Sequence, residues 1–272
     1  MNTVWSRGIE LVRDNFQLLI VIAGVFLLLP TMAIYLLVPD MQMFADPTAD
    51  QDLVAARMAE MLGPLLGGGL LAAIFQFAGY GAMVALMGDD RPTVGQAIGT
   101  GFKIVPSTLA ILILFMIAYV IGAGLIMLPI SLLAGVSGVQ ALALIGIIPA
   151  VIFVVWFMAR ISMSMPVLVL GGTLNPVKAM IQSFKLTKPK QWSILLFWGV
   201  LVAAFTVISL LFNGVFGVIA AVIGTGTAAM LIVGLANGFT SMVSGMLVCG
   251  LSVAMFGQLS GPSNAAIEKT FD

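Results

Sequence analysis

Residues 192–223 read WSILLFWGVLVAAFTVISLLFNGVFGVIAAVI, an apolar run without one charged residue. About 20 such residues in a helix cross the hydrocarbon of a bilayer, so the stretch predicts a transmembrane span. Five further blocks of the same kind fill most of the remaining chain, at roughly 17–38, 62–87, 106–133, 141–167 and 228–258. Several are longer than a crossing requires and predict tilt or kinks, with Pro30, Pro129, Pro149 and Pro166 as the kink sites. Hydrophobic residues make up 61% of the 272 and charged residues 8%, and mean hydropathy is +1.18. A soluble domain could not solvate such a surface, so the expected solvent is lipid. The first block continues to Val38 with no small-residue cleavage site after it, and reads as a retained span and not as a signal peptide.

The gaps carry the orientation. Arg7, Arg13, Arg91, Lys103, Arg160, Lys178, Lys185, Lys188, Lys190 and Lys269 fall on one side of a six-span topology. The other side has Arg57, in a loop that also holds Asp40, Asp46, Asp50, Asp52 and Glu60. This positive-inside pattern predicts that both termini are cytoplasmic. Asp46 and Pro47 are placed to start a short outer-loop helix, with Leu53, Val54, Arg57, Met58 and Met61 at helical spacing. The uncharged connectors at 135–138 and 224–227 read as tight hairpins between antiparallel spans.

Two cytoplasmic gaps resemble each other at an offset of 82 residues: Ala97-Ile98-Gly99-Thr100-Gly101-Phe102-Lys103 and Ala179-Met180-Ile181-Gln182-Ser183-Phe184-Lys185. Each contains an apolar stripe at helical spacing, Val94, Ala97, Ile98, Gly101 and Phe102 in one, Val177, Met180, Ile181 and Phe184 in the other. A weaker version opens the chain with Trp5, Ile9, Val12 and Phe16. Such segments suit amphipathic helices lying in the membrane interface, with Trp5 and Trp192 at headgroup level. The expected fold is therefore all-α: six transmembrane helices as three hairpins, each preceded by an interfacial helix. Two spans per unit return the chain to its starting side, so the units, about 1–90, 91–172 and 173–258 of a single 1–272 domain, would be parallel repeats with approximate three-fold symmetry.

The segment Ala159-Arg160-Ile161-Ser162-Met163-Ser164-Met165-Pro166-Val167-Leu168-Val169-Leu170, followed by Met180 through Lys188, resembles the YciC-like bacterial inner-membrane proteins. It also resembles the related membrane domain attached to some glycerophosphodiester phosphodiesterases. Gln96-Ala97-Ile98-Gly99 through Pro106 is similar to the same pattern. The resemblance implies a six-span bacterial inner-membrane fold with no assigned molecular activity. Those phosphodiesterases carry a separate catalytic domain that needs histidines and metal-binding carboxylates. This sequence has no histidine and about 14 residues after its last span, so a phosphodiesterase activity is expected of the relatives and not of this chain.

No catalytic constellation is legible. There is no phosphate-binding glycine loop, nucleophile elbow or metal-ligand cluster, no carboxylate lies inside a predicted span, and no cofactor is implied. The 11 cations balance 11 anions, so net charge implies no nucleic-acid partner. Cys249 has no disulfide partner and reads as packing. Asp89-Asp90-Arg91 before Pro92 reads as a solvated turn. Arg160 falls at the cytoplasmic end of the fourth span, where it can snorkel to phosphate or contact an anionic headgroup or substrate within the bundle.

Lys178, Lys185, Lys188 and Lys190 form the densest positive patch, a topology anchor or a contact for anionic lipid or a partner. Gln76, Asn213 and Asn237 are amides at membrane depth that need partners, through interhelical hydrogen bonds or in a polar cavity. Gly234, Gly238, Ser241, Gly245, Cys249 and Ser252 lie on one stripe of the sixth span, suited to close helix packing within the chain or, second, to an oligomer seam. The leading expectation is a non-catalytic membrane protein that organises lipid or scaffolds envelope proteins. Its expected partners are cytoplasmic-side anionic lipid headgroups and a second copy or another membrane protein. A permease with a pathway near Arg160, Gln76 and Asn237 is the alternative, and an enzyme within the bilayer ranks third.

Overall fold

The computed structural model describes residues 2–37, 51–139, 141–224 and 226–261, with side chains for all of them apart from 51–58, 64–65 and 141–145. The described elements are helical: α1 (Asn2–Asp14), α2 (Phe16–Ala23), a π-helical turn (Gly24–Leu28), α3 (Leu29–Leu37), α4 (Gln51–Leu86) and α5 (Val94–Ser137). There follow α6 (Ala141–Ile161), α7 (Ser164–Val169), α8 (Pro176–Thr187), a 3₁₀ turn (Lys188–Lys190), α9 (Gln191–Ile223) and α10 (Thr227–Ser260). Six helical stretches are long and apolar enough to cross a membrane: 16–36, 59–86, 94–137, 146–169, 176–223 and 227–260.

Local chemistry sets the boundaries. Thr93 and Gln96 form a reciprocal cap at the start of α5: the Thr93 hydroxyl accepts from the Gln96 N–H at 3.4 Å, and the Gln96 side chain accepts from the Thr93 N–H at 2.9 Å. Asn175 caps α8 by accepting from the Lys178 N–H at 3.0 Å, with Pro176 in the first turn. At the ends of α5 and α9, Gly138 has φ 70° and Gly224 has φ 101°, backbone that glycine adopts without the Cβ penalty.

The prolines behave unequally. Pro30 follows the π-helical turn, in which the Leu29 N–H reaches the carbonyl of Gly24, five residues back. The shifted register makes room for a residue that has no N–H and crowds the carbonyl four before it. Pro106, Pro129 and Pro149 lie inside uninterrupted helices. The helix breaks at Ser162-Met163, where the ring of Pro166 crowds the carbonyl four residues before it, and Pro166 itself sits in the first turns of α7.

Two expected boundaries are absent. The interfacial segment before residue 106 is not separate from its span, since α5 is one helix of 44 residues. At 1.5 Å per residue that is about 66 Å, roughly twice the hydrocarbon thickness. The expected short outer-loop helix is likewise continuous with its span, because α4 begins at Gln51. Asp40, Asp46, Pro47 and Asp50, like Lys269 and the tail, lie outside the described residues.

α10 is central and packs against α1, α3, α4 and α9. Leu19, Leu27, Ala82, Met83, Met246 and Cys249 lie in the largest buried cluster. In lipid this core is held by dispersion and shape fit, since hydrocarbon outside is as apolar as leucine. The small residues of α10 serve that fit inside the chain. A Cβ at Gly238 would lie 2.9 Å from the Leu28 carbonyl oxygen, one at Gly234 3.2 Å from the Tyr35 Cβ, and one at Gly245 3.1 Å from the Tyr80 ring. Ser241 on the same stripe is half-buried. The outward faces of α5 and α9 expose Leu125, Leu132, Leu210 and Val222, as a lipid-facing surface does.

Candidate functional site

The N-terminal helix, the start of α5 and α8 bury stripes at four-residue spacing. They are Val4, Gly8 and Val12 in α1, Ala97, Gly101 and Val105 in α5, and Ala179, Ser183 and Thr187 in α8. The last two sets are offset by 82 residues. α1 packs on α10, where a Cβ at Gly250 would lie 2.7 Å from the Gly8 carbonyl oxygen. The start of α5 packs on α4, where a Cβ at Gly101 would strike the Ala78 carbonyl. α8 packs on α6 and α7, at the break after Ile161.

That third contact holds the candidate site. Ser183 Oγ donates to the Arg160 carbonyl at 2.7 Å and accepts from the Met163 N–H at 3.2 Å. The helix break leaves these backbone groups needing partners, and one buried hydroxyl serves both. Thr187 Oγ1, one turn on, donates to the Ser183 carbonyl at 2.8 Å and accepts from Arg160 Nη1 at 3.0 Å.

The Arg160 side chain is buried, 7% exposed. Its guanidinium carbon lies 4.8 Å from the Phe184 ring centre and 6.0 Å from that of Trp156, within cation–π range. The bond to Thr187 is the one hydrogen bond its guanidinium makes among the described residues, and Nε is buried without a partner. No carboxylate pairs with it among the described residues; Glu10 pairs with Arg7, at 2.8 Å. A buried cation in this state is a costly arrangement unless an anion completes it.

Arg160 opens with Lys185 and Lys188 into a cleft of about 550 Å³ whose other walls include Leu114, Phe157, Met180 and Ile181. The structure thus brings three of the five predicted cations together and leaves Lys178 and Lys190 exposed outside the cleft. Of the predicted stripe of α8, Val177 and Ile181 are exposed and Met180 and Phe184 half-buried; the buried positions are instead Ala179, Ser183 and Thr187.

Arg160 has a counterpart without charge. Residue 78, at the same 82-residue offset from it, is alanine. Around Ala78, Phe26, Phe75 and Phe102 pack with centroids 5.9–6.3 Å apart. Around Arg160, Phe157 packs at 5.6 Å from both Phe115 and Phe184. Phe75 and Phe157, and Phe102 and Phe184, keep the offset.

The amides divide. Gln76 Nε2 donates across to Thr31 Oγ1 at 3.3 Å. Asn213 and Asn237 bond within their own helices, to the Ser209 and Val233 carbonyls at 2.9 and 3.0 Å. Both line a groove of about 650 Å³ between α9 and α10 with Thr206, Ser209 and Ser244. Asn213 Oδ1 is buried there without a partner. Asp89, Asp90 and Arg91 are exposed, with Arg91 at φ 42° in the turn.

Ser183 and Thr187, whose hydroxyls tie α8 to Arg160, are concealed by the apolar pattern of the sequence. The available signal was their spacing from Ala179 together with the matching spacing of Ala97, Gly101 and Val105. No family model, curated protein or solved structure matches this chain.

Proposed function

We propose that this chain is a non-catalytic integral membrane protein that holds anionic lipid at its cytoplasmic face, in lipid organisation or as a scaffold for envelope proteins. The observation that carries this reading is Arg160: buried, without a carboxylate partner among the described residues, and sharing an apolar-walled cleft with Lys185 and Lys188. A lipid phosphate would meet the cations and an acyl chain the apolar wall. The proposed topology is that of a YciC-like bacterial inner-membrane protein with both termini cytoplasmic. Its parallel units, 1–90, 91–172 and 173–258, would form a closed ring. In it α1 seats on α10, α5 on α4, and α8 on α6 and α7, so each unit rests on the last span of the one before.

The test is native mass spectrometry of the protein released from nanodiscs of mixed zwitterionic and anionic lipid. Wild type retains anionic lipid, and Lys185→Gln with Lys188→Gln loses it; equal retention by both would contradict the reading. A permease is the second reading, favoured by the groove that Asn213 and Asn237 line. It predicts a co-purifying solute and loss of function in Asn213→Leu, with the lysine variants active.

A further inference from the structure

We infer that the Arg160 cleft selects a lipid bearing a doubly charged phosphomonoester headgroup over lipids with singly charged phosphodiesters. This rests on the lipid-binding reading and names the lipid class that the same site takes.

Charge is the first reason. Arg160 comes from α6, Lys185 from α8 and Lys188 from the turn after it, while α5 contributes Leu114 and no charged residue lines the cleft from it. Among the described residues no carboxylate lines the cleft. A singly charged phosphate would leave two cations uncompensated beside an apolar wall, and a dianion leaves one.

Geometry is the second. Thr187 occupies Nη1 and Nε is buried without a protein partner, so the donors of the guanidinium left unpaired are on its side edge, Nε–H with the neighbouring Nη2–H. That edge matches two oxygens of one phosphate, and the two ammonium groups suit a third. A monoester presents three terminal oxygens and a diester two.

The third reason is what the cleft lacks. The nearby hydroxyls of Ser183 and Thr187 are engaged with the backbone, and neither lines the cleft. No other side chain there would recognise a glycerol hydroxyl or pair with an ethanolamine ammonium. The site therefore reads phosphate and little beyond it.

The experiment is lipid competition by native mass spectrometry on the full chain, using phosphatidate and phosphatidylglycerol of identical acyl chains at pH 7.5. The expected result is at least a tenfold preference for phosphatidate. The preference should shrink several-fold at pH 5, because the monoester's second ionisation lies near pH 6. Arg160→Lys, which keeps the charge and removes the fork, should reduce the preference several-fold, and Lys190→Gln, outside the cleft, should not. Should Arg160→Lys fail to fold, the lipid and pH comparisons on wild type still decide. Equal retention of both lipids, lost in Lys185→Gln with Lys188→Gln, would overturn the selectivity and leave lipid binding standing. Retention of neither would overturn both. Inorganic phosphate displacing phosphatidate at matched concentration would show a site for the free anion and overturn the lipid assignment.

Discussion

The Ser183 hydroxyl donates to the Arg160 carbonyl at 2.7 Å, so the residue that presents the buried guanidinium is fixed by its backbone to α8. Lys185, two residues further along α8, shares the cleft with that guanidinium. Fold and site therefore meet in one contact, and its removal should be felt in both.

Ser183→Ala leaves the Met163 N–H without its buried partner and the Arg160 carbonyl with only the 3.4 Å contact from the Thr187 hydroxyl. A loss of about 1–3 kcal/mol follows from orphaning such groups. Thermal unfolding in nanodiscs checks it, and an unchanged midpoint would contradict the assigned role.

Gly101 and Gly99 should respond oppositely to alanine. A Cβ at Gly101 meets the α4 backbone, whereas one at Gly99 has open space. Gly99→Ala should stabilise by about 0.5–1 kcal/mol through helix propensity. Gly101→Ala should destabilise by about 1–3 kcal/mol through overpacking. Unfolding midpoints of the two variants, compared side by side, give the sign of each.

Gly245→Leu should lower stability without changing oligomeric state, because its neighbours are Leu27 and Tyr80 of the same chain. Light scattering in detergent and a melting curve separate the cases. A stable variant with altered assembly would assign the α10 stripe to an oligomer seam.

Gln76→Leu removes an interhelical hydrogen bond to Thr31, worth about 0.6–1.7 kcal/mol in a membrane interior. Asn237→Leu removes a bond within α10 alone and should cost less. Urea or thermal unfolding of the pair tests the order.

Much of the architecture was legible because lipid imposes a simple rule: long apolar runs must be helices. The spans, the glycine turns at Gly138 and Gly224 and the stripe Gly234, Gly238, Gly245 all follow from it. The ends of helices were less legible. Pro106 permits α5 to continue, since a proline inside a long helix forfeits one hydrogen bond and not the helix. The break at Ser162-Met163, four residues before Pro166, is steadied by Ser183 from another helix, which supplies the missing partners. The site was legible as cations and illegible as a cleft. Lys178 and Lys190 carry the same charge as Lys185 and Lys188, and which pair joins Arg160 depends on how α8 lies across α6.

The most direct measurement is an experimental density map of the protein in nanodiscs containing anionic lipid, inspected at Arg160. The expected map shows a phosphate within hydrogen-bond distance of the Arg160 guanidinium, flanked by Lys185 and Lys188, with an acyl chain running past Phe157. An empty cleft with the guanidinium turned out toward the aqueous phase would contradict it.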